Sequence, residues 1–209
     1  IFKKTKSFYS AILCRFHKSI MKNKVENYLA QLKNHHRETY EHCLRVAFNC
    51  RSLSVTNSLP PQDIDLVYNS GLLHDIGKTR VPINILSKTG ELTEEEREEI
   101  ERHVRYGFIF LEGDDFREVR EVIVRHHEFS INPYPRSGED RRRLERTEDR
   151  REEDQRFSTL GQILAVSDIR DALSMARSYK PALGKEEVER QLRSKFTGDL
   201  KYIEQVMKI

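Results

Sequence analysis

The chain has 209 residues, of which 37% are hydrophobic and 34% are charged, a composition that suits a single soluble domain with one core. Its 37 basic and 34 acidic residues leave a formal net charge of +3, which gives no general argument for nucleic-acid binding. No apolar stretch approaches the ~20 residues that a membrane helix needs, and three cysteines without a CxxC spacing indicate reduced core thiols, so we expect a cytoplasmic protein.

Apolar residues recur with the helical period along most of the chain, and alternating strand patterns are scarce. We therefore predict an all-α protein that consists of a basic helical extension over 1–35 and one domain over 36–209. The first residue is Ile1 rather than Met, which leaves an upstream sensor domain open. The predicted helices cover about 17–33, 36–56, 62–76, 93–113, 116–130 and 157–176, with two short helices after Pro181.

Local signals predict where two of these helices begin or end. Thr93 and Glu96 have the spacing of a capping box at the start of a helix. Gly77, followed by Pro82, predicts the end of the helix that carries His74.

A highly charged insertion interrupts the second half of the domain. Fifteen of the eighteen residues from Glu139 to Arg156 are charged. Such runs are usually solvated, either as a mobile loop or as a helix with internal ion pairs. A docking surface for a protein partner is the alternative.

Several predicted helices direct a histidine or a carboxylate toward the core. His126 lies seven residues after Val119, and Asp168 lies four residues after Leu164, so both belong to apolar faces. One such residue alone is more often a hydrogen-bonded core group, but several together favour a shared metal cluster, because burying unpaired carboxylates is costly. Imidazole and carboxylate ligands suit iron, manganese, zinc or nickel. The same reasoning applies to His74 and His103 on inward faces, and to Glu38 and His42, which share one helix face.

Five short segments occur in an order that resembles a known family. In chain order they are EHCLRVA, LLHDIGK, ERHVRYG, VRHHE and AVSDIRDAL. Together they resemble the HD superfamily of metal-dependent phosphohydrolases, and specifically its HD-GYP branch, over residues 36–209. The resemblance implies a helical bundle around a bi- or trinuclear metal site.

The resemblance also implies which residues bind the metals. Asp75 is expected to bridge two ions and to be essential for catalysis, and Glu38 is expected to accompany a third ion. Two or three divalent ions, with iron or manganese expected first and zinc or nickel next, would activate water and neutralise charge on a phosphoryl group. The implied ligands are Glu38, His42, His74, Asp75, His103, His126, His127 and Asp168.

A second set of residues is implied in substrate binding. Lys78 matches a catalytic lysine beside the scissile phosphate, and Arg177 and Lys180 match residues that hold substrate phosphates. A helix-end cation is the alternative for Lys78, and plain surface charge is the alternative for the other two. The loop that gives the branch its name is altered here to HHEFSINPYPRSG, in which Pro133 replaces a glycine and Tyr134 remains at the substrate lip.

The resemblance implies a phosphodiesterase that hydrolyses a cyclic dinucleotide, with cyclic di-GMP as the leading substrate, through a metal-bound hydroxide. One alternative is an HD phosphohydrolase that acts on another nucleotide or phosphate ester. A second alternative is a non-catalytic module that binds a nucleotide or a protein partner. The expected ligand is a small molecule rather than a nucleic acid or a membrane, and a homodimer is left open.

Overall fold

The computed structural model of the chain describes residues 21–134, 148–175 and 183–209. Several sequence predictions lie outside these ranges: the first twenty residues of the extension, the charged segment 139–147, and the substrate candidates Arg177 and Lys180. Within the described ranges no helix is long and apolar enough to cross a lipid bilayer.

The described chain is helical, which confirms the all-α prediction. Within the residues described, extended pairing is limited to an isolated bridge between Ser130 and Phe196. The first helix, α1, is described over 21–35, and short 3-10 helices follow α3 (Ile76–Arg80) and precede α7 (Asp114–Phe116). The other helices are α2 (Arg37–Thr56), α3 (Pro61–Leu73), α4 (Ile83–Leu86), α5 (Glu94–Glu101), α6 (His103–Phe110), α7 (Arg117–Ile123), α8 (Glu148–Ser174), α9 (Lys185–Lys195) and α10 (Lys201–Val206).

Side-chain caps define two helix starts. The Nδ1 atom of His36 accepts from the backbone N–H of Thr39 and caps α2. At α5 the predicted capping box is present, because Thr93 and Glu96 each accept from the other's backbone N–H. These bonds satisfy N–H groups that have no partner inside the helix.

Three predicted helices are shorter than the sequence pattern indicates. The helix predicted over 62–76 ends at Leu73, and the chain then forms the 3-10 helix. The helix predicted from Thr93 is divided at Arg102 into α5 and α6. The helix predicted over 116–130 ends at Ile123. The helical spacing of apolar residues continues past these helix ends, because the turns that follow also bury apolar side chains, such as those of Ile76 and Val124.

One hydrophobic core joins these elements. The helices α2, α3 and α8 are central to it and contribute side chains such as Leu53, Leu73 and Ile163, which are fully buried. Val25 and Leu32 of α1 belong to the same core, so the described part of the predicted extension packs on the domain. Cys43 and Cys50 are buried free thiols, as the cysteine pattern predicts. The core therefore fixes the mutual positions of α2, α3 and α8 at the site described below.

The end of the charged insertion forms a helix whose described side chains are exposed or partly buried, and ion pairs connect it to the bundle. Residues 148–156 form the first part of α8. Arg156 donates to Asp63 of α3 and to Glu118 of α7, and Arg125 donates to Asp154. Among the described side chains, these ion pairs connect α8 with α3, with α7 and with the turn after α7, because the packing of α8 against α3 and α7 brings opposite charges together.

Candidate metal centre

Five separate segments bring histidines and carboxylates together near the middle of the bundle. The helix α2 carries His42, the end of α3 carries His74 and Asp75, and the α5–α6 junction carries His103. The turn after α7 carries His126 and His127, and α8 carries Asp168. All are buried except His127 and Asp168, which are partly buried.

These side chains form two groups of potential ligand atoms, and a third group combines Cys43 with His74 and Asp75. In one group the atoms of His42, His74 and Asp168 lie within 4.8 Å of one another, and His103, His126 and His127 form a second group by the same measure. Asp75 lies between the groups. Its Oδ2 is 3.7 Å from Nε2 of His42 and 3.5 Å from Nε2 of His74, and its Oδ1 is 3.3 Å from Nε2 of His103.

Helix ends orient three of the histidines in the same way. The Nδ1 atoms of His74, His103 and His126 contact the carbonyl oxygens of the residues three positions earlier, at 2.8, 2.6 and 2.5 Å. These carbonyls lie in the last turns of α3, α5 and α7, where helix carbonyls lack an internal partner. Because a carbonyl can only accept, Nδ1 must carry the proton, and Nε2 keeps its lone pair.

The three Nε2 atoms are buried and have no hydrogen-bond partner among the described residues. A buried polar atom without a partner usually costs about 1–3 kcal/mol. Three such lone pairs around buried carboxylates are the donor set that a divalent transition metal prefers. The residues present therefore fit a metal centre.

His42 is oriented differently from the other histidines. It lies inside α2, where the helix itself uses the nearby carbonyls, and its Nδ1 instead bonds Oδ2 of Asp171 at 2.7 Å. Arg45 donates from Nε and Nη2 to the two oxygens of Asp171, at 2.8 and 3.0 Å. Neither Asp171 nor Arg45 is among the site residues predicted from the sequence. Their signal is the spacing, because Asp171 follows Asp168 by three residues and Arg45 follows His42 by three.

Burial and charge set the protonation of the two groups. Burial lowers the pKa of His103 to about 3 and that of His126 to about 4, and it also lowers the pKa values of His74 and His127. These imidazoles are therefore neutral at neutral pH, which is the form that binds metals.

The carboxylates between these imidazoles stay ionised, although burial alone would raise their pKa values. Lys78 and the surrounding histidines outweigh burial and hold the pKa of Asp75 well below its usual range. His42 does the same for the pKa of Asp168. Burial also opposes the charging of His42, but its hydrogen bonds to Asp168 and Asp171 outweigh burial and raise the pKa of His42.

Other predicted site residues border these groups. Lys78 donates to Oδ2 of Asp75 at 2.6 Å. The hydroxyl of Tyr134 lies 2.7 Å from Nε2 of His127, and the two rings are stacked at 4.0 Å, so this residue contacts the second group directly. Glu38 is exposed in the first turn of α2 and belongs to neither group.

Comparison with known proteins shows the family of the chain. The family model described as HD domain matches residues 39–173. That range includes both histidine groups, Asp75 and Asp168, and the chain belongs to the HD domain family.

Two similar curated relatives are bacterial enzymes. The chain is 32% identical over 162 residues to 3'3'-cGAMP-specific phosphodiesterase 2 of Vibrio cholerae, covering 75% of this chain and 28% of that protein. It is also 32% identical over 130 residues to the cyclic di-GMP phosphodiesterase response regulator RpfG of Xanthomonas campestris, covering 59% of this chain and 30% of that protein. The chain thus spans less than a third of either relative.

A solved structure supports the fold. The HD domain of phosphodiesterase PgpH from L. monocytogenes, crystallised in complex with cyclic-di-AMP, matches with a TM-score of 0.58. The match covers 87% of this chain and 92% of that chain at 19% sequence identity. At this identity the likeness establishes a shared helical fold and nothing finer.

Proposed function

We propose that the chain is a metal-dependent phosphodiesterase that hydrolyses a cyclic dinucleotide, with cyclic di-GMP as the leading substrate. The observation that carries the proposal is the pair of histidine groups on the two sides of Asp75, in which the buried Nε2 atoms of His74, His103 and His126 have no hydrogen-bond partner among the described residues. The names of the curated relatives, which specify cyclic di-GMP or 3'3'-cGAMP, support the substrate class.

Two divalent ions account for the arrangement of ligand atoms. His42, His74 and Asp168 would hold one ion, and His103, His126 and His127 would hold the other. Asp75 would join the two ions, because each of its oxygens faces one group. When bound, such ions lower the pKa of water and neutralise charge on a phosphoryl group. Iron or manganese is expected first, and zinc or nickel next.

The chain's own side chains would bind and orient the substrate. Lys78 lies beside Asp75 with its side chain only 17% exposed, so its ammonium group can contact a non-reacting phosphate oxygen of a substrate held at the centre. Tyr134 borders the second group and would bind the substrate at the rim. Arg177 and Lys180 are proposed from the sequence to hold the remaining phosphate oxygens.

The reduced state of the described cysteines supports a cytoplasmic location. Cys43 and Cys50 are both free and buried in the core. Disulfides form in oxidising compartments, and free core thiols are typical of the cytosol.

The substitution Asp75→Asn tests the proposed function. Wild-type protein purified anaerobically with iron or manganese should carry at least two ions per chain by elemental analysis and should hydrolyse cyclic di-GMP. The variant should lose metal and turnover while keeping its helical circular dichroism. Asp199→Asn, an exposed carboxylate near the C-terminus, is the matched control and should retain both properties.

The same measurements distinguish the alternatives. Hydrolysis of linear nucleotides or other phosphate esters, without cyclic dinucleotide turnover, would indicate a different HD phosphohydrolase. Nucleotide binding without any hydrolysis by metal-loaded protein would indicate a binding module. Substoichiometric metal in the wild type would contradict the proposal itself.

Glu38 is proposed as a ligand of a third ion. It stands four residues before His42 on α2, a spacing at which both side chains can approach one ion. Wild-type protein should then bind up to three ions and Glu38→Gln one fewer, with mononucleotide product reduced more than ring opening. Equal metal content in the two proteins would show that Glu38 is not a ligand.

A further inference from the structure

We infer that Asp171 is the positioning residue of the metal centre, and that Arg45 holds Asp171 in place. Asp171 would fix the ring orientation and the tautomer of His42, so that Nε2 of His42 faces the first group. The inference rests on the proposed role of His42 as a metal ligand. It assigns a task to two residues that the proposed reaction does not otherwise use.

His42 differs from the other buried histidines in its place in a helix. The histidines at helix ends bond a carbonyl of the last helical turn through Nδ1. Inside α2 each backbone carbonyl accepts the N–H of the residue four positions later, so the Nδ1–H group of His42 needs an acceptor from another element. Asp171 of α8 supplies it at 2.7 Å. Because an ionised carboxylate only accepts, this contact places a proton on Nδ1 of His42.

One face of α8 contacts both nitrogens of the same ring. Asp168 and Asp171 are three residues apart on that helix and therefore lie on one face. Oδ1 of Asp168 is 3.0 Å from Nε2 of His42, and Oδ2 of Asp171 is 2.7 Å from Nδ1. The imidazole is thereby fixed between a proposed ligand and a residue that only orients it.

Arg45 compensates the buried negative charge of Asp171 with its own positive charge. Asp171 is only 2% exposed, whereas the side chain of Arg45 is 37% exposed. The two nitrogens of Arg45 contact both carboxylate oxygens. Such a bidentate pair restricts the carboxylate to one orientation. Arg45 therefore fixes Asp171, and Asp171 fixes His42.

These contacts should give the two groups of ligand atoms unequal affinities for a metal ion. His42 has an anionic partner on its second nitrogen, which makes the imidazole a stronger donor, whereas the other three buried histidines have neutral carbonyl partners. The first group also contains the carboxylate of Asp168, and the second group consists of histidines. The group of His42, His74 and Asp168 should therefore bind the first ion more tightly.

Asp171→Asn tests the inference, with Mn²⁺ affinity as the readout. Free Mn²⁺ is followed by electron paramagnetic resonance during titration of metal-free protein. Loss of such an orienting carboxylate typically weakens metal binding about 10–100-fold, and we expect this loss for the first ion, with the affinity for the second changed less.

The matched control is Asp63→Asn. Asp63 is also a buried carboxylate bound by an arginine of another helix, Arg156. It lies in the first turn of α3, eleven residues and so about 16 Å along the helix from His74. The control should lower the thermal midpoint of the metal-free protein but leave Mn²⁺ affinity within about twofold of wild type.

Arg45→Gln is a second variant that retains Asp171 and changes a more exposed residue. This variant should weaken Mn²⁺ binding several-fold. If the Asp171→Asn protein does not fold, the Mn²⁺ affinity of Arg45→Gln tests the inference instead. Unchanged affinity in the folded Asp171 variant, or in Arg45→Gln, would overturn the inference while leaving the proposed function intact. Equal losses in Asp171→Asn and Asp63→Asn would overturn it as well, since both would then reflect general destabilisation. A wild-type protein that binds none of Mn²⁺, Fe²⁺, Zn²⁺ and Ni²⁺ would overturn both proposals.

Discussion

At the scale of single residues, three of the buried histidines use one ring nitrogen for a hydrogen bond within the fold and leave the other nitrogen for the proposed metal centre. In His74, His103 and His126 one nitrogen contacts a carbonyl at a helix end, and the other is buried without a partner in the described part of the chain. Each unpartnered atom lowers the stability of the metal-free protein by roughly 1–3 kcal/mol. A bound cation would remove that penalty, so these residues favour metal binding at the expense of stability without metal.

The pKa values of these histidines predict how the stability of metal-free protein depends on pH. In the unfolded chain His103 and His126 titrate near the ordinary histidine pKa, about 6.5, whereas in the folded protein burial lowers their pKa values to about 3 and about 4. Their contribution to folding is therefore complete above pH 6.5 and decreases as the pH falls toward 4, because only the unfolded chain then binds protons. The urea midpoint should fall over this range.

A variant isolates one contribution to this dependence. In His126→Gln the decrease between pH 6.5 and 4 should be smaller by a few kcal/mol, since one of the depressed groups is absent. The measurement is the urea midpoint of chelator-treated protein at several pH values. A slope identical to that of the wild type would contradict the assignment for His126. His42, whose pKa is raised, acts in the opposite direction but is a single group.

At the scale of elements, the ends of helices position the centre more than their lengths do. The break at Arg102 places His103 at the start of α6, directly against the 3-10 helix that follows Asp75. Gly77 permits this contact. A Cβ atom at Gly77 would lie 1.9 Å from the carbonyl oxygen of His103 and 2.5 Å from the backbone nitrogen of Gly107. Since both neighbours are backbone atoms, only a shift of a whole element could make room.

Gly77→Ala should therefore separate the 3-10 helix from α6. We expect a loss of stability of more than about 2 kcal/mol, as in other overpacked sites, and weaker metal binding, because His103 and Asp75 would move apart. Urea unfolding and Mn²⁺ titration measure the two effects. Gly90→Ala is the control, since a Cβ atom there meets nothing within 4 Å. Similar behaviour of the two variants would show that the close approach does not position the centre.

The charged insertion contains two parts that require different experiments. Residues 148–156 belong to α8, and their ion pairs reach α3 and α7. Removing 139–156 would therefore disrupt the bundle whatever the role of the rest. Deletion of 139–147 alone tests the interpretation as a solvated segment: phosphodiesterase turnover and Mn²⁺ affinity should remain within about twofold of the full chain. A large loss of turnover would favour the docking interpretation.

At the scale of the whole molecule, the proposed ligands connect distant parts of the chain. The contact between His42 and Asp168 joins α2 to α8, and that between Asp75 and His103 joins the end of α3 to α6. Such a site does not exist in the unfolded chain, so metal binding adds its free energy to the stability of the fold.

Metal should accordingly raise the thermal midpoint of the protein. At free Mn²⁺ about 100-fold above the dissociation constant, the stabilisation should be about 2.7 kcal/mol. That corresponds to an increase in midpoint of about 5–10 °C for a chain of this size. Differential scanning calorimetry with Mn²⁺ and with chelator measures the shift. Asp75→Asn should lose it and Asp199→Asn should retain it; a shift that persists without Asp75 would indicate binding elsewhere.

The sequence by itself determined the class of fold and the family, and it predicted most of the histidines and carboxylates that the structure brings together. Helical periodicity predicts that Asp168 points inward, because a side chain's direction follows from its position in its own helix. The same pattern predicts the burial of His126, which the structure places in the turn after α7. The order of the short segments around His74 and Asp75 indicated the family, which the comparison with known proteins confirms. Both inferences use information that is local in the chain.

Only the tertiary structure decided which atoms face one another. Periodicity predicted helices that run on to His74 and His126, whereas the real helices end three residues before His126 and directly before His74, and the freed carbonyls select the ring nitrogen that remains for a ligand. The pairing of His42 with Asp171 joins residues 129 positions apart. Such a contact depends on how α2 packs against α8, and no local pattern encodes that arrangement.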